Sequence, residues 1–210
     1  DDGWLRQAKL PLLNEPDGAD LQLMTTVDAH PGSEKCLVYH PRQLAIGVGC
    51  ARGTDPDEIH ELIRSTLEQA GLSSDAVAGL FSVHHKLDEP GLHEVAERLG
   101  VPCRFFFPER LEQERERLEN PSARVFAEVG CHGVAEGAAL AAVGADGELR
   151  LAKHKTANAT CAIGFASSPI DAARLGQARG QLHVVGVGPG AMEFRTPAAS
   201  AAIGQADDVV

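Results

Sequence analysis

Aromatic side chains are scarce in this 210-residue chain: they make up 4%, with one tryptophan and one tyrosine. A core must therefore be aliphatic, and the 43% hydrophobic fraction is enough to build one. Basic residues are also in deficit, 19 against 30 acidic, for a formal net charge of -11. That balance argues against nucleic acid and against an anionic membrane surface as partners. No apolar run reaches membrane-spanning length, and no charged-then-apolar leader opens the sequence. The five cysteines (Cys36, Cys50, Cys103, Cys131 and Cys161) contain no CxxC and no repeated spacing. Reduced thiols and a cytoplasmic location are expected, not a disulfide framework. There is no GxSxG elbow, so an α/β-hydrolase nucleophile is missing.

What is present is organised around Leu80–Leu92, LFSVHHKLDEPGL. The apolar run Val77–Val83 predicts a buried strand, and Pro90-Gly91 opens a helical pattern with Leu92, Val95, Ala96 and Leu99 on one face. Between them sit His84, His85, Lys86, Asp88 and Glu89. A strand that stops in titratable groups before a helix is where open α/β sheets bind ligands, and the helix N-terminus favours anions. The same residues would also make an ordinary solvated loop.

Residues 1–43 read as the tail of an upstream domain plus a linker, with short strands at Leu21–Val27 and Cys36–His40. A compact domain begins at Leu44. Leu44–Val48 predicts a strand and Gly49–Thr54 a polar loop. Asp55-Pro56-Asp57-Glu58 then starts a helix, with Asp55 as cap and Glu58 three residues on. Ile59, Leu62, Ile63 and Leu67 mark its buried face, and Gly71 ends it. Strands are expected at Arg104–Phe107, Arg124–Ala127, Leu149–Ala152 and Thr160–Phe165. Helices are expected at Pro108–Leu118, as a solvated charged face, and at the alanine-rich Val134–Val143. The order β-α-β-α-β-α-β-α-β-β predicts an α/β fold, an open and mostly parallel sheet with helices on both faces. Ser167–Gly180 reads as a linker with a short helical turn. A strand from Leu182 into the glycine turn Gly188-Pro189-Gly190 follows, then a helix after Thr196-Pro197 and the start of a strand over Ala206–Val210. Those last 30 residues read as a piece of a further domain.

Two sets of motifs resemble one pathway. AIGVGCARGT (45–54), FSVHHKLDEPGL (81–92), the FFF-PERL segment (105–111), VGCHGVAEGAAL (129–140) and KHKTANATCAI (153–163) resemble the C-terminal domain of the cobalamin-biosynthesis protein CbiG, also found alone as CobE. VVGVGPGAMEFRTPAASAAIGQADDVV (184–210) is similar to the opening of the tetrapyrrole methylases, such as precorrin-3B C17-methyltransferase. The domain layout implied is 1–43 tail and linker, 44–166 CbiG C-terminal domain, 167–180 linker and 181–210 the start of a methylase. The resemblance implies opening of the ring-A lactone of cobalt-precorrin-5A with loss of acetaldehyde, in cobalamin biosynthesis. A rival expectation is a non-catalytic module that carries the corrinoid intermediate to the fused methylase.

The implied substrate carries many carboxylates, so a chain of net charge -11 needs a local cationic pocket. The substrate-binding candidates are Arg52, Thr54, His84, His132, Lys153 and Lys155, with His154 nearby in sequence. Lactone opening needs water, a base and oxyanion stabilisation. Glu89 and His85 are candidates for the base, and Lys86 for the oxyanion. If His84 and His85 continue the strand, they point to opposite sides and only one meets the ligand. Glu136 is expected as an N-terminal helix charge, or as a group orienting a partner. Cys131-His132 has no second ligand pair, so no protein-held metal is expected. Cobalt belongs to the substrate, and S-adenosylmethionine is expected only with a complete methylase, where Gly188, Pro189 and Gly190 would shape part of the site. The expected partners are a cobalt-precorrin or precorrin intermediate and the fused hydrolase and methyltransferase domains, with a homodimer left open.

Overall fold

The computed structural model describes residues 19–180, 183–190, 194–206 and 209. The chain divides between Ala178 and Arg179 into two units. In the first, β1 (Gln22–Thr25) and β2 (Cys36–Tyr39) pair in parallel. This ribbon is tied to the body of the unit through backbone bonds from Ala29 N–H to Gly71 O and from Ser73 N–H to Val27 O.

The main sheet has five strands: β3 (Leu44–Cys50), β4 (Val77–Val83), β5 (Cys103–Phe106), β6 (Glu148–Lys155) and β7 (Ala159–Phe165), in the order β5-β4-β3-β7-β6. β3, β4 and β5 are parallel, whereas β7 runs against both β3 and β6. β6 therefore points with the first three, and only β7 is reversed. The mostly parallel α/β sheet expected from the sequence is the one observed. Every residue of β4 is buried, as its unbroken apolar run implies for a strand covered on both faces.

Alternation along β3 assigns the two faces. Leu44, Ile46 and Val48 join the core under α1 (Pro56–Gln69) and α2 (Pro90–Arg98), with Ile59, Ile63, Leu92 and Val95. Ala45 and Gly47 face α5 (Val134–Val143), whose residues Ala135–Val143 are all buried. α5 lies directly on the sheet. A Cβ on Gly47 would stand 1.9 Å from the Ala135 carbonyl oxygen, and one on Gly164 2.9 Å from that of Ala139. Glycine is required at both strand positions by this close approach, not by an unusual φ.

Between β5 and α5 lie α3 (Pro108–Glu112), a 3-10 turn at Arg115–Arg117 and α4 (Ala123–Val129). The long solvated helix expected over 108–118 is thus broken into two pieces. Leu111 and Glu114 turn inward, and Arg110 and Arg117 both pair with the buried Glu114. The strand expected at Arg124–Ala127 is also corrected, because these residues belong to α4. Ser122 accepts from Val125 N–H at its start, and Gly130, at φ +87, closes it. Four residues of mixed polarity could not separate strand from helix by periodicity, and the caps decided.

The segment after β7 is more than a linker. Gln177 exchanges both backbone hydrogen bonds with Phe105, at 2.9 and 2.7 Å. Arg104 donates from its guanidinium to the carbonyls of Leu175 and Ala173. The strap covers part of the outer edge of β5, which would otherwise offer unpaired N–H and C=O groups. The expected short helical turn within it is a 3-10 turn at Ala172–Arg174.

In the second unit, Thr196 accepts from Ala199 N–H and caps α6 (Pro197–Gln205), as its sequence predicts. Residues 183–188 are not a strand, which corrects the reading of Leu182–Val187 over its described part. Of the strand expected over Ala206–Val210, residues 207, 208 and 210 lie outside those described. No helix among the described residues is long and apolar enough to cross a membrane.

Candidate functional site: the carboxyl edge of the sheet

Strand direction gathers the chemistry on one edge. The carboxyl ends of β3, β4, β5 and β6 lie there, with the loops 51–54, 84–89, Phe107 and 156–158. α1, α2 and α3 begin at that edge because each follows one of these strands. α5 begins there too: a Cβ on Gly49, near the end of β3, would lie 3.3 Å from Val134 Cβ. The loop 130–133 therefore arrives at the same edge, although no strand precedes it. The N-terminal N–H groups of α1, α2 and α5 and their positive dipole ends share this rim, a setting that favours anions.

Glu89 is buried, and its two oxygens are taken. Oε1 accepts from Gly53 N–H at 2.8 Å, and Oε2 lies 3.5 Å from Lys86 Nζ. Facing its own loops, Glu89 acts as a positioning group that holds Lys86 and the 51–54 loop together. Lys86 is half-buried, and Arg52, His85 and Lys155 are exposed. Thr54 is buried and donates to the Ala51 carbonyl at 2.9 Å, shaping the loop from inside.

β4 ends at Val83, and His84–Lys86 form a 3-10 turn, so strand alternation does not separate His84 from His85. His84 instead stacks on Phe107, with ring centroids 4.5 Å apart and planes at 25°. His93 meets the Leu87 carbonyl at 2.6 Å and pins the turn to α2.

On the α5 side, His132 is paired with Glu112 at 2.9 Å and stacked on Phe126. Glu136 is buried and accepts from Lys153 N–H, Asn120 Nδ2 and the N–H groups of Glu119 and Asn120, all within 2.7–3.0 Å. Burial raises its pKa, but these four donors more than compensate and hold it below the usual carboxylate range. It is not a simple helix-end charge; it welds the 119–120 loop to β6 and places Lys153. Lys153 Nζ donates to the Asn120 carbonyl at 3.3 Å. His154, opposite Cys161 on β7, is half-buried.

At the hairpin tip, Glu58 accepts from Thr156 Oγ1, from Asn158 N–H and from Asn158 Nδ2. The capping-box partner expected from sequence reaches instead to the β6–β7 turn, and Asp55 alone caps α1 through Asp57 N–H at 2.9 Å. Asn158 O accepts from Ala51 N–H at 2.8 Å, tying the tip to the β3 loop. Glu58, Glu112, Phe107, Phe126 and Asn158 were not legible as site residues, because their partners lie on other elements.

Burial pushes the thiols of Cys50 and Cys131 up to about 11 and those of Cys103 and Cys161 to about 12. None of these four is a thiolate at neutral pH, which removes them as nucleophiles. Among the described residues no three His, Cys, Asp or Glu side chains gather in a metal-binding group.

The glycine turn of the second unit answers to its own chain. Gly188 has φ +77, and a Cβ there would meet the Phe194 carbonyl oxygen at 3.0 Å. Gly190 has φ +115.

The fold and this rim define a class: a mostly parallel α/β domain that presents cations, histidines and helix N-termini along one edge. Residues 44–164 match the family described as "Cobalamin synthesis G C-terminus", and the chain belongs to that family. It is 39% identical over 120 residues to a protein CobE of Sinorhizobium sp, covering 57% of this chain and 78% of that one. It is 38% identical over 130 residues to a cobalt-precorrin-5A hydrolase of Priestia megaterium, covering 62% of this chain and 34% of that protein, about a third of its length. The crystal structure of CobE, a protein from the cobalamin (vitamin B12) biosynthetic pathway, matches with a TM-score of 0.56 at 36% identity, over 59% of this chain and 89% of that one.

Proposed function

We propose that residues 44–166 are the substrate-facing C-terminal domain of a cobalt-precorrin-5A hydrolase and bind the carboxylate-bearing corrinoid at the carboxyl edge. The observation that carries this reading is the convergence of Arg52, Lys86, Lys155, His84 and His132 with three helix N-termini on one rim of a chain whose net charge is -11. Arg52 captures carboxylates through its planar fork, and Lys155 acts as a mobile point charge. Thr54 keeps the 51–54 loop in shape. His84 offers a ring donor beside Phe107, and His85 and Lys153 extend the polar rim. Lys86, steadied by Glu89, faces the oxyanion that develops when water attacks the ring-A lactone. The products are the ring-opened cobalt-precorrin-5B and acetaldehyde. Cobalt enters and leaves as part of the substrate. Residues 181–210 resemble the opening of a tetrapyrrole methylase, and the fusion would join the hydrolase to an S-adenosylmethionine-dependent methylation in the same pathway.

A second reading is a carrier without turnover. It is favoured by the match to only about a third of the hydrolase relative's length. One experiment separates the two. The 210-residue chain is incubated with cobalt-precorrin-5A, aldehyde is trapped, and the absorbance spectrum is followed. Multiple turnovers support the hydrolase and exclude the carrier. A shifted spectrum without aldehyde supports the carrier and excludes the hydrolase, and neither signal would sink both.

A further inference from the structure

Helix α3 aims a carboxylate at the loop ahead of α5. Glu112 Oε2 accepts from the backbone N–H of His132 at 2.9 Å, and Oε1 and Oε2 lie 2.9 and 3.0 Å from His132 Nδ1. An ionised carboxylate only accepts, so Nδ1 is the donor, and in the neutral tautomer this leaves the lone pair on Nε2. Burial raises the Glu112 pKa, but the His132 ring and backbone donors win and hold it low, so the acceptor stays ionised. Arg115, 4.0 Å from Oε1, sets a cation beside that carboxylate.

The ring is held in place as well as in tautomer. Phe126 covers one face, with centroids 4.5 Å apart and planes at 25°. The His132 carbonyl accepts from Ser122 N–H at 2.7 Å, which locks the loop to the start of α4. Nε2 has no protein partner among the described residues. The His132 side chain keeps 15% of its surface exposed, so the ring is not sealed from solvent. Neighbouring Cys131 is a buried, protonated thiol and does not compete.

Resting on the hydrolase reading above, we infer that His132 Nε2 is the proton acceptor for the attacking water and that Glu112 is its positioning residue. Nε2 takes one proton from water while the water oxygen bonds to the lactone carbonyl carbon. The tetrahedral intermediate then breaks the ring C–O bond, and the imidazolium returns the proton to the departing alkoxide. One water is consumed and an acid and an alcohol form; the alcohol then gives up its O–H proton as its C–C bond to the macrocycle breaks, acetaldehyde leaves, and the bond's electron pair stays with the macrocycle, which takes up a proton, so no external oxidant or reductant is needed. Glu112 supplies the tautomer before the step and a counter-charge to the imidazolium during it, the division of labour known from carboxylate–histidine pairs.

The test uses the 210-residue chain, its His132→Gln and Glu112→Gln variants, and two readouts. Long-range proton–nitrogen NMR of the ligand-free protein at neutral pH should show His132 with Nδ1 protonated and Nε2 bare, and Glu112→Gln should mix the tautomers. Single-turnover aldehyde release should fall about 10²–10⁴-fold in His132→Gln and by up to about 10⁴-fold in Glu112→Gln. In Glu112→Gln the dissociation constant for cobalt-precorrin-5A, read from absorbance, should stay within about threefold, which a merely structural role would not spare. An Nε2-protonated ring in the native protein, or a native rate in His132→Gln, overturns the inference alone. Native protein that binds substrate but releases no aldehyde overturns the hydrolase reading, and the inference with it.

Discussion

Gly53 and Glu89 are joined by one hydrogen bond, 2.8 Å from the glycine N–H to Oε1, across the ends of β3 and β4. The same carboxylate lies 3.5 Å from Lys86. Removing it in Glu89→Ala leaves an N–H and a half-buried ammonium without their partner. Unfolding free energy should drop by about 1–3 kcal/mol, and affinity for the corrinoid should drop with it. A urea transition identical to that of the native protein would show that this link does not hold the loops.

Lys86→Ala combined with Lys155→Ala removes two cations from the rim while leaving the core untouched. Affinity for a tetrapyrrole bearing several carboxylates should weaken by more than about tenfold, and added salt should weaken the native protein more than the double variant. Spectroscopic titration at two ionic strengths reads both effects. Unchanged affinity would place the substrate elsewhere.

Glu136 tests a different link. In Glu136→Ala four donors lose one acceptor, and β6 parts from the 119–120 loop. A loss of about 2–4 kcal/mol is expected in a denaturant titration. A loss below about 1 kcal/mol would mean that water replaces the carboxylate freely.

Acid should act through the same carboxylates. The native pKa values of Glu136 and Glu112 lie below the ordinary range, while in the unfolded chain they return to about 4.3. The unfolded state therefore binds protons first as pH falls. The stabilisation is complete above the unfolded value and is lost as pH drops through it towards the lower native values. Unfolding free energy should stay level for these groups from neutral pH to about 5 and decline below it, with a shallower decline in Glu136→Gln. A series of urea transitions from neutral pH down to about pH 3 measures this, and a parallel decline in both proteins would refute it.

Two glycines should fail for different reasons. Gly47→Ala drives a methyl to within 1.9 Å of the Ala135 carbonyl and must push α5 off the sheet. A cost of about 3 kcal/mol or more is expected. Gly53→Ala meets no atom within 4 Å but must hold φ at +69, a cost of about 1–2 kcal/mol. Equal thermal shifts for the two variants would contradict this account.

These contacts also mark how far the sequence could be read. The unbroken run of β4, the Asp55-Pro56 start of α1 and the glycines ending α1 and α2 carry local signals, and each element stands where those signals put it. Arg124–Ala127 failed because four residues give no usable period. His84 and His85 failed because the strand ends at Val83, before either of them. Arg52 and Lys86 stand just past strands, where their sequence positions put them, whereas Lys153 and Lys155, expected in a loop, belong to β6. The carboxylates that position them were not: Glu58 meets Asn158 100 residues away, and Glu112 meets His132 20 away, on separate elements. No spacing rule within one helix reveals such a partner.

The reversal of β7 has an evolutionary consequence. Because that strand returns beside β6 through the short turn at 156–158, this part of the rim hangs on a hairpin and not on a crossover helix. Ala157 at its tip is exposed, and its neighbours grip the rim through side chains and one backbone bond. Residues can be inserted there without moving a helix against the sheet, whereas the 51–54 and 84–89 loops each feed a packed helix. Lineages that must accommodate a bulkier or smaller macrocycle would be expected to vary the length of this turn first, and a library of short insertions after Ala157 should yield folded proteins with shifted substrate preference.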